Sequence, residues 1–482
     1  MKKRILFISF LLLLLYCSLF SQAIKNDYDL NQALRLIEVW LDAQLDYKEI
    51  PGISVGIVYD QDLIWSSGFG FADIEKKIPA TPDTIYSICS ISKLFTSISV
   101  IQLRDLKKLN LDEPLRSYLP WLKIKDKFPD APEITLRSIL THSSGLPRES
   151  DFPYWTGPEF KFPTREEIIE KLSGQEELYP AETYFQYSNL GMALAGEVVA
   201  TISGESYRNY VLKNILIPLQ MKDTTPEIPE EHRRGRLAQG YSSRLRDGSR
   251  VPIPFYLVKG MAPAAGFAST VKDLARFASW QFRLLNKGGK EVLSSNSLKE
   301  MHRVYWVDPD WKTTWGLGFS VVQKDGKTYV GHGGSCPGYR TQLTLCPKDK
   351  IAIIFMTNAH DINPDDYVAE MFKIATPAIL KKEKMEKQEI SSAGIFQKFS
   401  GRYEMPIGRE IHVLEMGEGL ALIWLPNDHP SDSLIKLKHI EGGRFRRIRE
   451  DGELGEEIFF EIGKDGKVER LIWNSQYALR VN

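Results

Sequence analysis

The chain of 482 residues reads as a layered domain mixing helices and strands, of α/β or α+β class, followed by a small all-β module. Three observations predict this. Strand-like runs lie near both ends of the first three-quarters of the chain, with a mainly helical stretch between them. Turn signals then recur at short spacing beyond Gly394. The length also exceeds that at which a single hydrophobic core stops growing.

In order, Leu34, Ile37, Leu41 and Leu45 fall at helical spacing, predicting a helix over 30–45. Ile53, Val55 and Ile57 alternate as in a half-buried strand, Gln61-Asp62 turns the chain, and 63–71 continues as the second arm of a hairpin. Leu94, Ile98 and Ile101 predict a helix over 91–106. A helix over 271–285 is expected after Ser269-Thr270 as caps, with Asp273 in its first turn. Short β-rich runs follow at 328–331, 341–345 and 351–356. A Lys/Glu-rich run ends the domain, and 381–393 is expected to be a charged linker. Asn427-Asp428, Gly442-Gly443, Asp451-Gly452 and Asp465-Gly466 then punctuate runs such as 420–425 and 458–462, predicting a barrel or sandwich over 394–482.

Basic and acidic side chains balance, 62 against 62, so nothing in the charge suggests a nucleic-acid partner. Lys2, Lys3 and Arg4 precede an apolar run to Phe20, and Ser21-Gln22-Ala23 offers small residues where a signal peptidase reads. Residues 1–23 are therefore expected to be a signal peptide and the protein to be exported, periplasmic or secreted; without cleavage the same run would act as a membrane anchor. Cys89, Cys336 and Cys346 remain in the mature chain, an odd number that leaves at least one free thiol or an intermolecular pair. Burial as small packing residues is the expectation for Cys89 and Cys336. No cysteine or histidine spacing fits a metal, and Asp361, Asn363 and Asp365 lack the glycine a calcium loop needs next. No cofactor is expected.

Ser90 and Lys93 stand in the pattern Ser-x-x-Lys. At the start of a helix such a pair lies on one face, one turn apart. A serine hydroxyl needs a neighbouring base. Burial and the positive end of the helix dipole would disfavour the charged lysine and supply a neutral amine. Alone this spacing recurs by chance. Tyr187-Ser188-Asn189 adds a phenol able to relay a proton and an amide able to bind both a lysine and a substrate. His332-Gly333-Gly334-Ser335 follows a strand-like Tyr329-Val330, and its glycines leave room for a substrate backbone and a freed N–H. Gly52-Ile53-Ser54-Val55-Gly56 matches the nucleophile-elbow pattern only in letters, because Ser54 sits inside an alternating strand.

In order and context the three motifs resemble those of the penicillin-recognising serine hydrolases: class C β-lactamases, D,D-peptidases and related esterases and D-aminopeptidases. Thr141-His142-Ser143-Ser144-Gly145-Leu146 and the segment Ala265 to Thr270 are similar to recurrent structural stretches of that family. The resemblance covers roughly Leu30 to Ile379. It implies an antiparallel sheet flanked by helices, an all-helical lobe and a site between them, all within a hydrolase domain of residues 24–380. It also implies roles. Ser90 is acylated, Lys93 and Tyr187 share the base work with the first base left open, and Asn189 positions substrate. His332 takes the place of a cation or hydrogen-bond donor on a strand continued by Gly333 and Gly334. The N–H groups of Ser90 and Ser335 form the oxyanion hole. The family commonly has a lysine where this chain has His332, which weakens the expectation of penicillin-like carboxylates; if His332 must change charge for function, activity should change between about pH 5.5 and 7.5.

The function expected is that of a serine hydrolase working through a Ser90 acyl-enzyme on an ester, amide or D-amino-acid peptide. A true β-lactamase or D-alanyl-D-alanine carboxypeptidase is the alternative within the class, and an inactive cell-wall-peptide-binding protein the alternative outside it. The expected partner is a small-molecule or peptide substrate, with cell-wall-derived compounds among the candidates.

Overall fold

The structure is a computed structural model that describes residues 28–229, 235–384, 394–406, 408–417 and 419–481. The expected signal peptide lies outside these residues, as does most of the expected linker. The chain forms two compact units, Ile50–Val368 on one hand and the residues up to Glu49 with those from Ala369 onward on the other.

The first unit is built on a nine-stranded sheet. Its strands are β1 (Gly52–Tyr59), β2 (Asp62–Asp73), β3 (Ile78–Pro79), β4 (Trp306–Val307), β5 (Thr314–Trp315), β6 (Ser320–Lys324), β7 (Lys327–Cys336), β8 (Tyr339–Cys346) and β9 (Ile351–Thr357). The spatial order is β3-β2-β1-β9-β8-β7-β6-β5-β4. Every pairing is antiparallel. The early hairpin and the late strands therefore meet in the middle, where β1 pairs with β9 from Ile53↔Thr357 to Tyr59↔Ile351. All seven residues of β9 are buried, as are the first seven of β1. A strand buried on both faces needs cover on both.

The helix Val271–Lys287 supplies one cover. Thr270 caps it by accepting from Asp273 N at 3.2 Å. Its fit depends on Gly56, where an added Cβ would lie 2.5 Å from Val271 Cγ1. On the opposite face Phe355 of β9 packs 4.8 Å from Tyr367, at the start of the helix Pro364–Lys384. The helices α1 (Ser92–Asp105) and α2 (Asn189–Ser203) pack against each other, and Phe95 of α1 stacks on Phe267 at 4.8 Å and tilts on Phe277 of the Thr270-capped helix at 5.0 Å. Each fully buried aliphatic or aromatic side chain here contributes about 1.5–3 kcal/mol.

The second unit contains a closed barrel of eight antiparallel strands between Gly401 and Val481. Its interior is packed with Phe399, Tyr403, Phe445 and Phe460. The helix Tyr28–Tyr47 belongs to this unit although it precedes the sheet in the chain. Trp40 Nε1 and Gln44 Nε2 both donate to Asn427 O, at 2.8 and 2.7 Å. The helix Pro364–Lys384 carries the chain from one unit to the other, so the first residues of the expected linker are helical. Among the described residues no helix is long and apolar enough to cross a membrane.

Candidate active site

The nucleophile turn begins where Tyr86-Ser87 pairs with Ala268-Ser269. A 3₁₀ turn, Cys89–Ile91, follows and leads directly into α1. The hydroxyl of Ser92 locks the turn, donating to Cys89 O at 2.5 Å and accepting from Phe267 N at 3.0 Å. Ser90 is half-buried at the junction, and Lys93 lies in the first turn of α1, fully enclosed.

Lys93 Nζ is 3.1 Å from Ser90 Oγ and donates to Asn189 Oδ1 and to Ala264 O, both at 2.8 Å. Burial holds the amine well below its ordinary pKa; the Glu149 charge opposes this and the Arg148 charge adds to it. A neutral amine keeps two N–H groups, one for Asn189 and one for Ala264, and turns its lone pair to the Ser90 hydroxyl. That is the arrangement of a general base.

Tyr187 and Asn189 arrive on the start of α2, which Ser188 caps by accepting from Gly191 N at 2.8 Å. Burial pushes the Tyr187 phenol above its ordinary pKa, and its interaction with Ser90 opposes this. Lys93 Nζ lies 4.8 Å and Arg148 Cζ 4.9 Å from the centre of its ring. Asn189 Nδ2 donates to Glu149 Oε1 at 2.7 Å, and Tyr154 donates to the same carboxylate. A carboxylate only accepts, so Glu149 fixes the amide with its oxygen toward Lys93. His142 supports the tripeptide from behind: its Nδ1 accepts from Ser188 N at 3.2 Å and its ring packs 4.2 Å from Tyr187.

Strand β7 forms the opposite wall. Gly334 lies so close to the nucleophile turn that an added Cβ would sit 2.3 Å from Ile88 O. His332 is buried, with Nδ1 donating to Gly333 O at 2.6 Å. This fixes the tautomer and leaves Nε2 as an acceptor, which has no partner among the described residues. Burial, then the Lys93 charge, lower its pKa to about 3. Of the two roles expected at this position, cation or hydrogen-bond donor, burial disfavours the cation, because an imidazolium enclosed by Trp315 and Tyr187 would be poorly solvated. Gly333 is half-buried beside it, and exposed Ser335 accepts from Arg340 Nη1 at 2.7 Å.

Cys89 and Cys336 are buried, as expected, and the pairing that the sequence left open is a disulfide between them with Cα atoms 5.8 Å apart. Among the described residues Cys346 is the free thiol, and it is buried. The bond brings together the neighbours of its two ends, Ser90 and Ser335. Ser54, in the misleading elbow pattern, is a buried residue of β1 whose Oγ donates to Thr81 O at 2.8 Å. Asp361 pairs with Arg250 at 2.6 Å, and no cluster among the described residues is suited to a metal.

The structure thus gathers Ser90, Lys93, Tyr187, Asn189 and His332 around one point. Glu149, Arg148, His142, Ala264 and Trp315 join them, although no motif in the chain marked them as neighbours of the nucleophile. Only His142 lay in a segment with a recognisable signature.

The site is thus an antiparallel sheet covered by helices that present a serine and an enclosed lysine one turn apart. The family model described as Beta-lactamase matches residues 38–376, and the chain belongs to this family, whose members are generally serine hydrolases. It is similar to Beta-lactamase-like protein 2 of Dictyostelium discoideum, 29% identical over 77% of this chain and 68% of that protein. The octameric penicillin-binding protein homologue from Pyrococcus abyssi is similar over 92% of this chain and 99% of its own, with 26% identity and a TM-score of 0.62. The D-amino acid amidase from Ochrobactrum anthropi SV3 shares the fold over 74% of this chain and 99% of its own, with 24% identity and a TM-score of 0.58.

Proposed function

We propose that the protein is an exported serine acyl-hydrolase that forms an acyl-enzyme at Ser90 with an ester, amide or D-amino-acid peptide. One observation carries this reading: an enclosed lysine, its charged form disfavoured, 3.1 Å from Ser90 Oγ. Lys93 takes the Ser90 proton as the oxygen attacks the acyl carbon. The N–H groups of Ser90 and Ser335 receive the oxyanion. Tyr187, whose phenol stays protonated, hands a proton to the leaving group and is resupplied by the Lys93 ammonium. Water then attacks the ester by the same route in reverse. Export rests on the N-terminal pattern of three cations, an apolar run and Ala23.

A fluorophosphonate probe and a panel of p-nitrophenyl esters, D-alanyl peptides and nitrocefin test this on the mature protein. Labelling and turnover that vanish in Ser90→Ala are expected. No labelling and no turnover across the panel would favour the inactive binding protein instead.

The reading as a β-lactamase or carboxypeptidase is less well supported, because neutral His332 offers no fixed charge to a substrate carboxylate. His332→Lys should raise kcat/KM for carboxylate-bearing substrates over their amides by about tenfold or more, the scale of one charge-assisted hydrogen bond. An unchanged ratio would return carboxylate recognition to other groups.

A further inference from the structure

The bond between Cys89 and Cys336 spans 247 positions of sequence, which by itself describes a staple for the fold. Its ends are placed more specifically than that. Cys89 directly precedes the nucleophile, and Cys336 directly follows Ser335 at the end of β7. Cys89 has a φ of 49°, in the left-handed region that a residue with a side chain adopts only when its surroundings hold it there. Two devices do so: the Ser92 hydroxyl on its carbonyl at 2.5 Å, and the disulfide on its side chain. The opposite strand is seated against the same turn. Gly334 leaves no room for a Cβ against Ile88 O, and Thr341 Oγ1 donates to that carbonyl at 3.2 Å.

We propose that the Cys89–Cys336 disulfide is a positioning device for the acyl oxygen, holding the Ser90 N–H and the Ser335 N–H in one geometry across the gap between the nucleophile turn and β7. The proposal rests on the reading of Ser90 as nucleophile. Cys89 and Cys336 do not touch the reacting atoms. They set where the two donors point, so their effect belongs to the transition state, where the oxyanion exists, and not to the bound substrate.

Cys336→Ala and Cys89→Gly test it in the full-length mature chain. Glycine adopts a φ of 49° without cost, so Cys89→Gly relaxes the turn as it breaks the tether. Cys346→Ala, which removes the free thiol, is the control. The measurements are kcat and KM for a p-nitrophenyl ester, the rate of fluorophosphonate labelling of Ser90, and the melting temperature. Both variants should lose about 10- to 100-fold in kcat and labelling rate, somewhat less than loss of an oxyanion donor, with KM within about threefold of wild type. Unchanged kcat well below a lowered melting temperature would mean a stability staple only, and overturns the proposal. A loss confined to KM overturns it too. A wild type that neither labels nor turns over removes the nucleophile reading, and this one with it; an active wild type matched by both variants removes this one alone.

Discussion

Lys93 is the residue on which the site turns. A lysine side chain 0% exposed is expensive to keep, and burial lowers its pKa in the direction the proposed role of base requires. Lys93→Met should lower kcat by about 10²- to 10⁴-fold, the range for loss of a general base. It should also change how stability depends on pH. The folded-state pKa lies below the ordinary 10.5, so between the two values the unfolded chain binds more protons and the native state gains stability as pH rises. Urea unfolding from neutral to alkaline pH should show this slope in wild type and a flatter one in Lys93→Met. Equal slopes would mean the amine is charged in the folded protein.

Glu149 offers a finer probe of the same group. Its charge raises the Lys93 pKa against the effect of burial, and its oxygen holds Asn189 in register. Glu149→Gln removes the charge, so the acidic limb of kcat/KM should move to lower pH. A limb that stays in place would show that a group other than Lys93 sets it.

At the scale of elements, the meeting of β7 with the nucleophile turn is the sensitive joint. An added Cβ at Gly334 would lie 2.2 Å from Thr341 Oγ1 and 2.3 Å from Ile88 O, and one of those atoms is backbone. Gly334→Ala should therefore push the strand from the turn, lowering kcat by about 100-fold or more, on the scale of a lost oxyanion donor. Gly56→Ala meets Val271 Cγ1 at 2.5 Å on a buried face, so its cost should be in stability, about 1–3 kcal/mol by overpacking, with kcat kept. Denaturation midpoints and steady-state rates on the two variants separate the joints. The helices and strands themselves were largely readable in the chain. The hairpin at 52–73, the Thr270-capped helix and the late strands fall where alternation and caps place them. The seating of β7 on Ile88 was not readable, because a glycine tells that space is short without telling what fills it.

At the scale of the whole molecule, buried histidines predict how the protein meets acid. Burial lowers His302 and His332 from 6.5 to about 3 and His412 to about 4, and takes His142 well below 6.5. Each is neutral in both states above pH 6.5, so it contributes nothing there. Below 6.5 the unfolded chain gains protons that the folded chain refuses, and stability falls as the pH drops toward 3. Glu177 works the other way: burial raises it from 4.5 to about 7, adding stability as pH falls between those values. The decline should thus be steepest below pH 4.5, where the glutamate no longer offsets the histidines. Chemical denaturation followed by tryptophan fluorescence from pH 7 to 4 reads this directly, and constant stability over that range would contradict it.

The amino-acid sequence alone determined the class of the fold, the β module and the Ser90–Lys93, Tyr187–Asn189 and His332–Gly334 motifs, because periodicity, turn residues and short spacing are local properties. Tertiary structure decided the rest. Whether Lys93 is enclosed, whether His332 carries charge, what turns the Asn189 amide and whether Cys89 finds Cys336 all depend on groups distant in the chain. Charge and bonding at each of these atoms follow from which neighbours exclude water or supply a partner, and only the packed sheet and helices bring those neighbours together.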